Sequence, residues 1–206
     1  MPRRRLLVLL VPALAALALT ACQGPAPLVA PEVVWESTGD SPLESDPAVI
    51  AAREADIAER IAWNAADFSY APFVDTHTAE WAAQIADAFE RRFVDAGVSP
   101  YVYLGPALWQ PVEVRATDRG ADVVVCDASA HWYLQRDHTT RSTEDLEDGL
   151  GAVIELEAAA DGRLLVAGQS FEGAVDGCDA TGAPIGRFEP APELPERVDA
   201  VVRPPG

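Results

Sequence analysis

The sequence predicts an α+β fold in which N-terminal helices pack on a curved antiparallel sheet. Two amphipathic helical segments come first, between residues 46 and 97, and runs with β-strand alternation follow up to residue 171. Turn sequences such as Asp118-Arg119-Gly120 separate these runs, which is typical of hairpins in an antiparallel meander. Helices followed by strands in a chain of this size indicate one α+β domain, which we place at residues 46–188.

The first helix begins after Asp46, a favourable N-cap residue. Pro47 occupies the first helical position, where its missing N–H would have no partner in any case. Apolar residues then recur at helical spacing and predict one buried face, formed by Ile50, Ile57, Ile61, Ala65 and Phe68.

The second helix starts near Thr78, with Glu80 in its first turn, where a negative charge favours the helix dipole. Gly97 is a suitable residue for its C-terminal cap. Its predicted core stripe consists of Trp81, Ile85, Phe89 and Phe93.

The strands fall in the second half of the chain. Candidate strands cover residues 111–117, 121–134, 152–157 and 163–171, with a turn at Asp161-Gly162 between the last two. Residues 101–110 are compatible with either a short strand or a loop that leads into the sheet.

The N-terminus has the pattern of an export signal. Three arginines (3–5) precede an apolar run from Leu6 to Leu19, which is shorter than the roughly 20 residues needed to cross a bilayer. Residues 19–22 (Leu-Thr-Ala-Cys) resemble a bacterial lipobox, which implies cleavage after residue 21 and a diacylglycerol on Cys22. The alternative is an ordinary secretory signal with a cysteine nearby. We expect a protein anchored by lipid to the cell membrane, on its extracytoplasmic face.

Two segments rich in proline flank the predicted domain. Residues 22–45 are interpreted as a lipidated tether, although the apolar Val33-Val34-Trp35 could dock on the domain. Residues 189–206 carry repeated prolines and are expected to form a flexible, extended tail.

The chain is strongly acidic, with 15 basic and 33 acidic residues and a net charge of −18. Removing the three signal arginines brings the net charge to about −21. Such a surface repels phosphate backbones and anionic headgroups, so nucleic-acid binding is excluded and the acyl anchor must supply membrane attachment. Every basic residue is arginine, which rules out lysine Schiff-base chemistry.

With Cys22 assigned to the lipobox, Cys126 and Cys178 remain as a pair. In an oxidising compartment their default state is a disulfide. The alternatives are a redox-active thiol pair and a metal site. A redox pair usually has Cys-x-x-Cys spacing, and a zinc site needs further thiolates; the sequence has neither.

The order of elements resembles the nuclear transport factor 2-like (cystatin-like) superfamily, and most of all its exported actinobacterial lipoproteins. The segments that carry this resemblance are the paired helices, VEVRATDRGADVVVCDASAHWYLQRD (112–137) and GAVIELEAAADGRLLVAGQ (151–169). The resemblance implies a cone that encloses a pocket. In that superfamily such a pocket holds a ligand, runs an isomerase or hydratase reaction, or serves only as core, and the fold does not choose among these.

Candidate pocket residues come from one strand face and from two tryptophans. In an extended strand Asp127, Ser129, His131 and Tyr133 point to the same side, which could form an acid–base site or a solvated face. Trp63 and Trp109 could line a ligand pocket, although core packing is the default for both.

Metal ligation is the weaker interpretation of the polar residues. His131, Asp137 and His138 lack the spacing of a known shell, and the acidic run 143–148 lacks the glycine and alternating ligands of a calcium loop. We therefore predict neither a metal site nor a cofactor.

These features together predict a non-catalytic binding or accessory module of the cell envelope. It would hold a small apolar or amphipathic ligand or dock on a membrane protein. The alternatives are an isomerase- or hydratase-like enzyme that uses Asp127, His131 and Tyr133, and a purely structural envelope lipoprotein.

Overall fold

The protein combines helices with antiparallel sheets, as the sequence predicts. The computed structural model describes residues 28–128, 133–135, 149–171 and 178–204. Its helices are α1 (Pro47–Ala65), α2 (Ala71–Thr76) and α3 (Ala79–Glu90), with a 3-10 turn (Pro42–Ser45) before α1 and a π turn (Arg91–Asp95) after α3. Its strands are β1 (Glu32–Ser37), β2 (Tyr101–Tyr103), β3 (Trp109–Ala116), β4 (Gly120–Asp127), β5 (Tyr133–Gln135), β6 (Leu150–Ala158), β7 (Leu164–Ser170) and β8 (Ile185–Glu189).

Helix α1 begins where the sequence predicts and buries part of the predicted face. The Asp46 side chain accepts a hydrogen bond from the Ala48 amide at 2.8 Å, and Pro47 is the first helical residue. Of the predicted core residues, Ile61 and Phe68 are buried, whereas Ile50 is 45% exposed and Ala65 is exposed. Small residues at helical spacing supply most of the remaining buried face: Ala48, Val49, Ala52, Ala55, Ala58 and Ala62. These small residues let the helix backbone approach the sheet closely.

Helix α3 confirms the second predicted helix. The Thr78 hydroxyl accepts a hydrogen bond from the Trp81 amide at 3.3 Å and caps the N-terminus. Ile85, Phe89 and Phe93 are buried, and the chain leaves the helix through Gly97, whose φ is +63°. The short helix α2 was not predicted, because six residues are too few to show a periodic pattern.

The main sheet has four antiparallel strands in the order β3-β4-β6-β7, joined as a meander. Strand β4 pairs with β6 from Gly120↔Glu157 to Asp127↔Leu150. The predicted strand 121–134 instead ends at Asp127, and residues 133–135 form β5, which pairs with β2. The ambiguous segment 101–110 contains strand β2 and the start of β3.

The segments expected as a tether and a flexible tail both pack on the domain. Strand β1, which includes Val33-Val34-Trp35, pairs antiparallel with β8. Val198 in the tail is buried, and Val202 exchanges backbone hydrogen bonds with Phe68 and Ala66. Backbone pairing and apolar burial therefore hold these proline-rich segments, which composition alone does not reveal.

The described buried residues form three clusters, and two of them share α1, one taking in its N-terminal half and the other its C-terminal half. One cluster packs its alanines against Trp109 and the aliphatic residues of the sheet. The other gathers the aromatic residues of the helices, and Val198 closes it. No helix in the described part of the chain combines the length and apolar character needed to span a bilayer.

The disulfide predicted between Cys126 and Cys178 is present. Cys126 lies on β4, is fully buried, and packs with Leu108, Ala128 and Ala180. The bond joins residues 52 positions apart in the sequence and ties the segment before β8 to the sheet.

Removing this bond is expected to destabilise the protein substantially. For a separation of 52 residues the chain-entropy relation gives about 4 kcal/mol. We expect the double variant Cys126→Ala, Cys178→Ala to lose about this much free energy of unfolding in urea denaturation. Reductant should shift the wild-type transition to that of the variant and leave the variant unchanged. Coincident curves for oxidised wild type and variant would show that the bond does not stabilise the fold.

Candidate functional site

A cavity of about 500 Å³ lies between α1 and the main sheet, and we call it the main cavity. Small residues of α1, Ala52 and Ala55, face it from one side. Aromatic and aliphatic side chains form much of the remaining wall: Trp81, Tyr101, Tyr103, Trp109, Val125, Tyr133, Leu150, Ile154, Val166 and Phe171. The polar and charged lining residues are Asp56, Glu59, Arg60, His77, Arg92, Asp127 and Gln169.

The buried ion pair of Arg60 and Asp56 forms one wall of the main cavity. Arg60 Nε donates to Asp56 Oδ1 at 2.8 Å, one helical turn apart on α1. Asp56 Oδ2 accepts a hydrogen bond from the Ala107 amide at 2.7 Å, so the pair also holds the segment before β3. Arg60 is only 7% exposed, and its Nη1 has no hydrogen-bond partner among the described residues.

The charge of Arg60 is secured by its neighbours. Burial alone would lower the pKa of the guanidinium, but the charge and hydrogen bond of Asp56 outweigh this effect and raise the pKa above its ordinary value. The guanidinium carbon lies 4.0 Å from the ring centroid of Tyr103, in a cation–π contact. Arg60 is therefore a permanent cation and hydrogen-bond donor at the cavity wall.

Tyr103 is kept neutral by its surroundings. Burial raises the pKa of its phenol well above the ordinary value, and the opposing charge of Arg60 does not cancel this effect. Asn64 fixes its backbone: Nδ2 donates to the Tyr103 carbonyl at 2.9 Å, and Oδ1 accepts from the Tyr103 amide at 2.8 Å. The Tyr103 hydroxyl, 3.4 Å from that of Tyr101, thus remains protonated and available for hydrogen bonding.

His77 is the second buried polar residue in the wall. Its Nδ1 lies 2.9 Å from the Phe73 carbonyl oxygen and 3.1 Å from Thr76 Oγ1. Because a carbonyl oxygen only accepts, Nδ1 carries a proton. The other ring nitrogen, Nε2, lies 3.5 Å from Glu59 Oε2 and has no hydrogen-bond partner among the described residues. In the neutral ring Nε2 is therefore a hydrogen-bond acceptor.

Two exposed apolar side chains belong to the lining of the main cavity. Leu150, the register partner of Asp127 at this end of the sheet, is 55% exposed, and Phe171, just after β7, is 66% exposed. Because both line the cavity and are open to solvent, they form an apolar part of its rim.

The structure brings together three of the predicted pocket residues. Trp109, Asp127 and Tyr133 line the main cavity. Trp63 does not: its ring packs 4.8 Å from Phe89, between ring centroids, in the aromatic core, and it lines a second cavity of about 200 Å³. The predicted Cys22 and His131 lie outside the described residues, as do Ser129, Asp137, His138 and the acidic run 143–148.

Sequence reasoning missed the polar residues of α1 and His77. Asp56, Glu59 and Arg60 follow a charged pattern that usually marks a solvated face. The sequence does contain one indication of this site, the alanines at 52, 55, 58 and 62. A helix that packs through these alanines turns Asp56 and Arg60 toward the sheet.

No group of three or more His, Cys, Asp or Glu residues suited to a metal ion occurs within the described ranges. Comparisons with known proteins add no relative: no family model matches the chain, and neither a curated protein nor a solved structure is significantly similar to it. The proposals below therefore depend on the geometry of the main cavity.

Removing the charge of Asp56 tests the energetic role of the ion pair. Asp56→Asn leaves the buried Arg60 cation uncompensated, and we expect the free energy of unfolding to fall by roughly 3 kcal/mol. The matched control is Glu113→Gln on β3, whose ion pair with Arg115 is about half exposed and should be worth less than about 1 kcal/mol. Equal losses for the two variants in urea denaturation would contradict the assigned role.

Proposed function

We propose that this protein is a non-catalytic binding module of the cell envelope that holds a small amphipathic molecule in the main cavity. The observation that carries this proposal is the cavity itself, whose volume of about 500 Å³ falls in the range of ligand sites. A domain filled by its own aromatic side chains would have favoured a structural role. Here the phenylalanines of the aromatic cluster pack on one another, and its partly buried members Trp81, Tyr101 and Tyr103 line the open space without filling it.

The chemistry of the wall supports an amphipathic ligand. Trp81, Ile154 and Val166 offer apolar contact, while Arg60 and His77 present buried polar atoms without protein partners among the described residues. Ligand sites typically combine a mostly apolar wall with a few placed polar groups.

The location of the module is part of the proposal. The basic start, apolar run and lipobox pattern at residues 3–22 support export and a diacylglycerol anchor on Cys22. The Cys126–Cys178 disulfide is consistent with an oxidising extracytoplasmic compartment. The cavity between α1 and the antiparallel sheet also supports the cystatin-like cone as the finer description of the fold.

An isomerase- or hydratase-like enzyme is the second candidate. The observation in its favour is that Asp127 and Tyr133 both line the main cavity, as the predicted acid–base face requires. Docking on a membrane protein requires no internal cavity, so the ligand-binding role accounts for more of the structure.

Blocking the cavity tests the proposed function. Gln169 and Ser170 are both exposed on β7, but only Gln169 lines the main cavity. We expect the uncharged dye Nile red to bind the wild type saturably with increased fluorescence, and Gln169→Trp to weaken this binding at least about tenfold by filling the space.

The matched control is Ser170→Trp, which adds the same ring to the adjacent position and should leave the affinity unchanged, since neighbouring strand residues face opposite sides. A wild type that does not bind the dye saturably, or a Gln169→Trp variant that binds it equally well, would contradict the proposal.

A further inference from the structure

The wall of the main cavity contains a buried donor that the protein does not use. Arg60 Nη1 is enclosed and has no hydrogen-bond partner among the described residues. The nearest carboxylate is already engaged, because Asp56 accepts from Arg60 Nε with one oxygen and from the Ala107 amide with the other. An unpaired buried donor is costly, so Nη1 indicates where a ligand would supply an acceptor.

Charges around this donor disfavour an anionic ligand. Asp56 neutralises Arg60, and of the remaining charged lining residues two are carboxylates, Glu59 and Asp127, against one guanidinium, Arg92, so the lining carries a net negative charge. An added anion would lie near these carboxylates in a chain that carries a net charge of −18, and like charges repel strongly where water is excluded.

A cationic ligand is disfavoured for a different reason. Aromatic rings attract cations through their faces, but arginines of the protein lie on three of the rings in this wall, and a cationic head group has no lone pair with which to accept from Arg60. Arg60 covers Tyr103 at 4.0 Å, Arg53 covers Trp109 at 3.4 Å, and Arg92 lies 5.3 Å from the Tyr101 ring centroid.

We propose that the main cavity binds an uncharged amphipathic molecule whose carbonyl oxygen accepts a hydrogen bond from Arg60 Nη1. Its apolar body lies against Trp81 and Ile154 and reaches the rim at Leu150 and Phe171. This assignment of the ligand class rests on the proposed binding function.

Displacement of Nile red by four probes of similar length tests the assignment. Octan-2-one carries the carbonyl group, and 2-methyloct-1-ene has the same shape but no acceptor. Octanoate and octylammonium carry the two charges. We expect octan-2-one to bind about tenfold more tightly than the alkene, because a hydrogen bond to a charged donor is lost in the alkene. Both charged probes should bind more weakly than octan-2-one.

The variant Arg60→Lys keeps the positive charge beside Asp56 but replaces the three guanidinium nitrogens with one ammonium nitrogen, so the Nη1 donor is lost. This variant should bind octan-2-one about tenfold more weakly than the wild type does and should bind the alkene with unchanged affinity. The matched control is Arg115→Lys on β3. Arg115 pairs with Glu113 at the surface, is about half exposed and does not line the cavity. This variant should bind all four probes as the wild type does.

The comparison of ketone and alkene on the wild type needs no variant, so the assignment stays testable if Arg60→Lys fails to fold. Equal affinities for these two probes, tighter binding of either charged probe, or equal losses for ketone and alkene in Arg60→Lys would overturn the assigned ligand class alone. Failure of Nile red itself to bind the wild type would overturn the proposed function together with it.

Discussion

The ion pair between Arg60 and Asp56 is the interaction on which the site depends. A buried guanidinium needs a counter-charge, and Asp56 supplies it from one turn earlier on α1. The same carboxylate holds the Ala107 amide, and the guanidinium covers Tyr103, so α1, β2 and the segment before β3 meet at one charged group. This arrangement places the polar wall of the main cavity, in which burial raises the pKa of the Tyr103 phenol against the opposing charge of Arg60.

Local signals in the sequence predicted the fold class and its regular elements. Caps and apolar periodicity located α1 and α3, and turn residues located the meander. The core face of α1 was predicted correctly at Ile61 but not at Ile50, because alanines, which allow the helix to approach the sheet closely, form most of the contact. The pairing of β1 with β8 joins segments some 150 residues apart, and no local pattern encodes such a contact.

Three residues of the site, Trp109, Asp127 and Tyr133, were predicted from the sequence. Asp127 lies at the end of β4, whose alternation is visible in the sequence, and it does line the main cavity. Arg60 and His77 come from α1 and the turn after α2, and they share the cavity only after the helices have packed on the sheet. Their role also depends on burial, which turns ordinary surface residue types into unpaired polar atoms in an apolar space.

A crystal structure of the protein grown with octan-2-one would show both whether the main cavity is open and whether Arg60 Nη1 binds the ligand. Our account predicts the ketone inside the main cavity, with its oxygen within hydrogen-bond distance of Arg60 Nη1 and its chain directed toward Leu150 and Phe171. A cavity closed by direct contact between α1 and the sheet, with Arg60 Nη1 bonded to a protein acceptor, would contradict it.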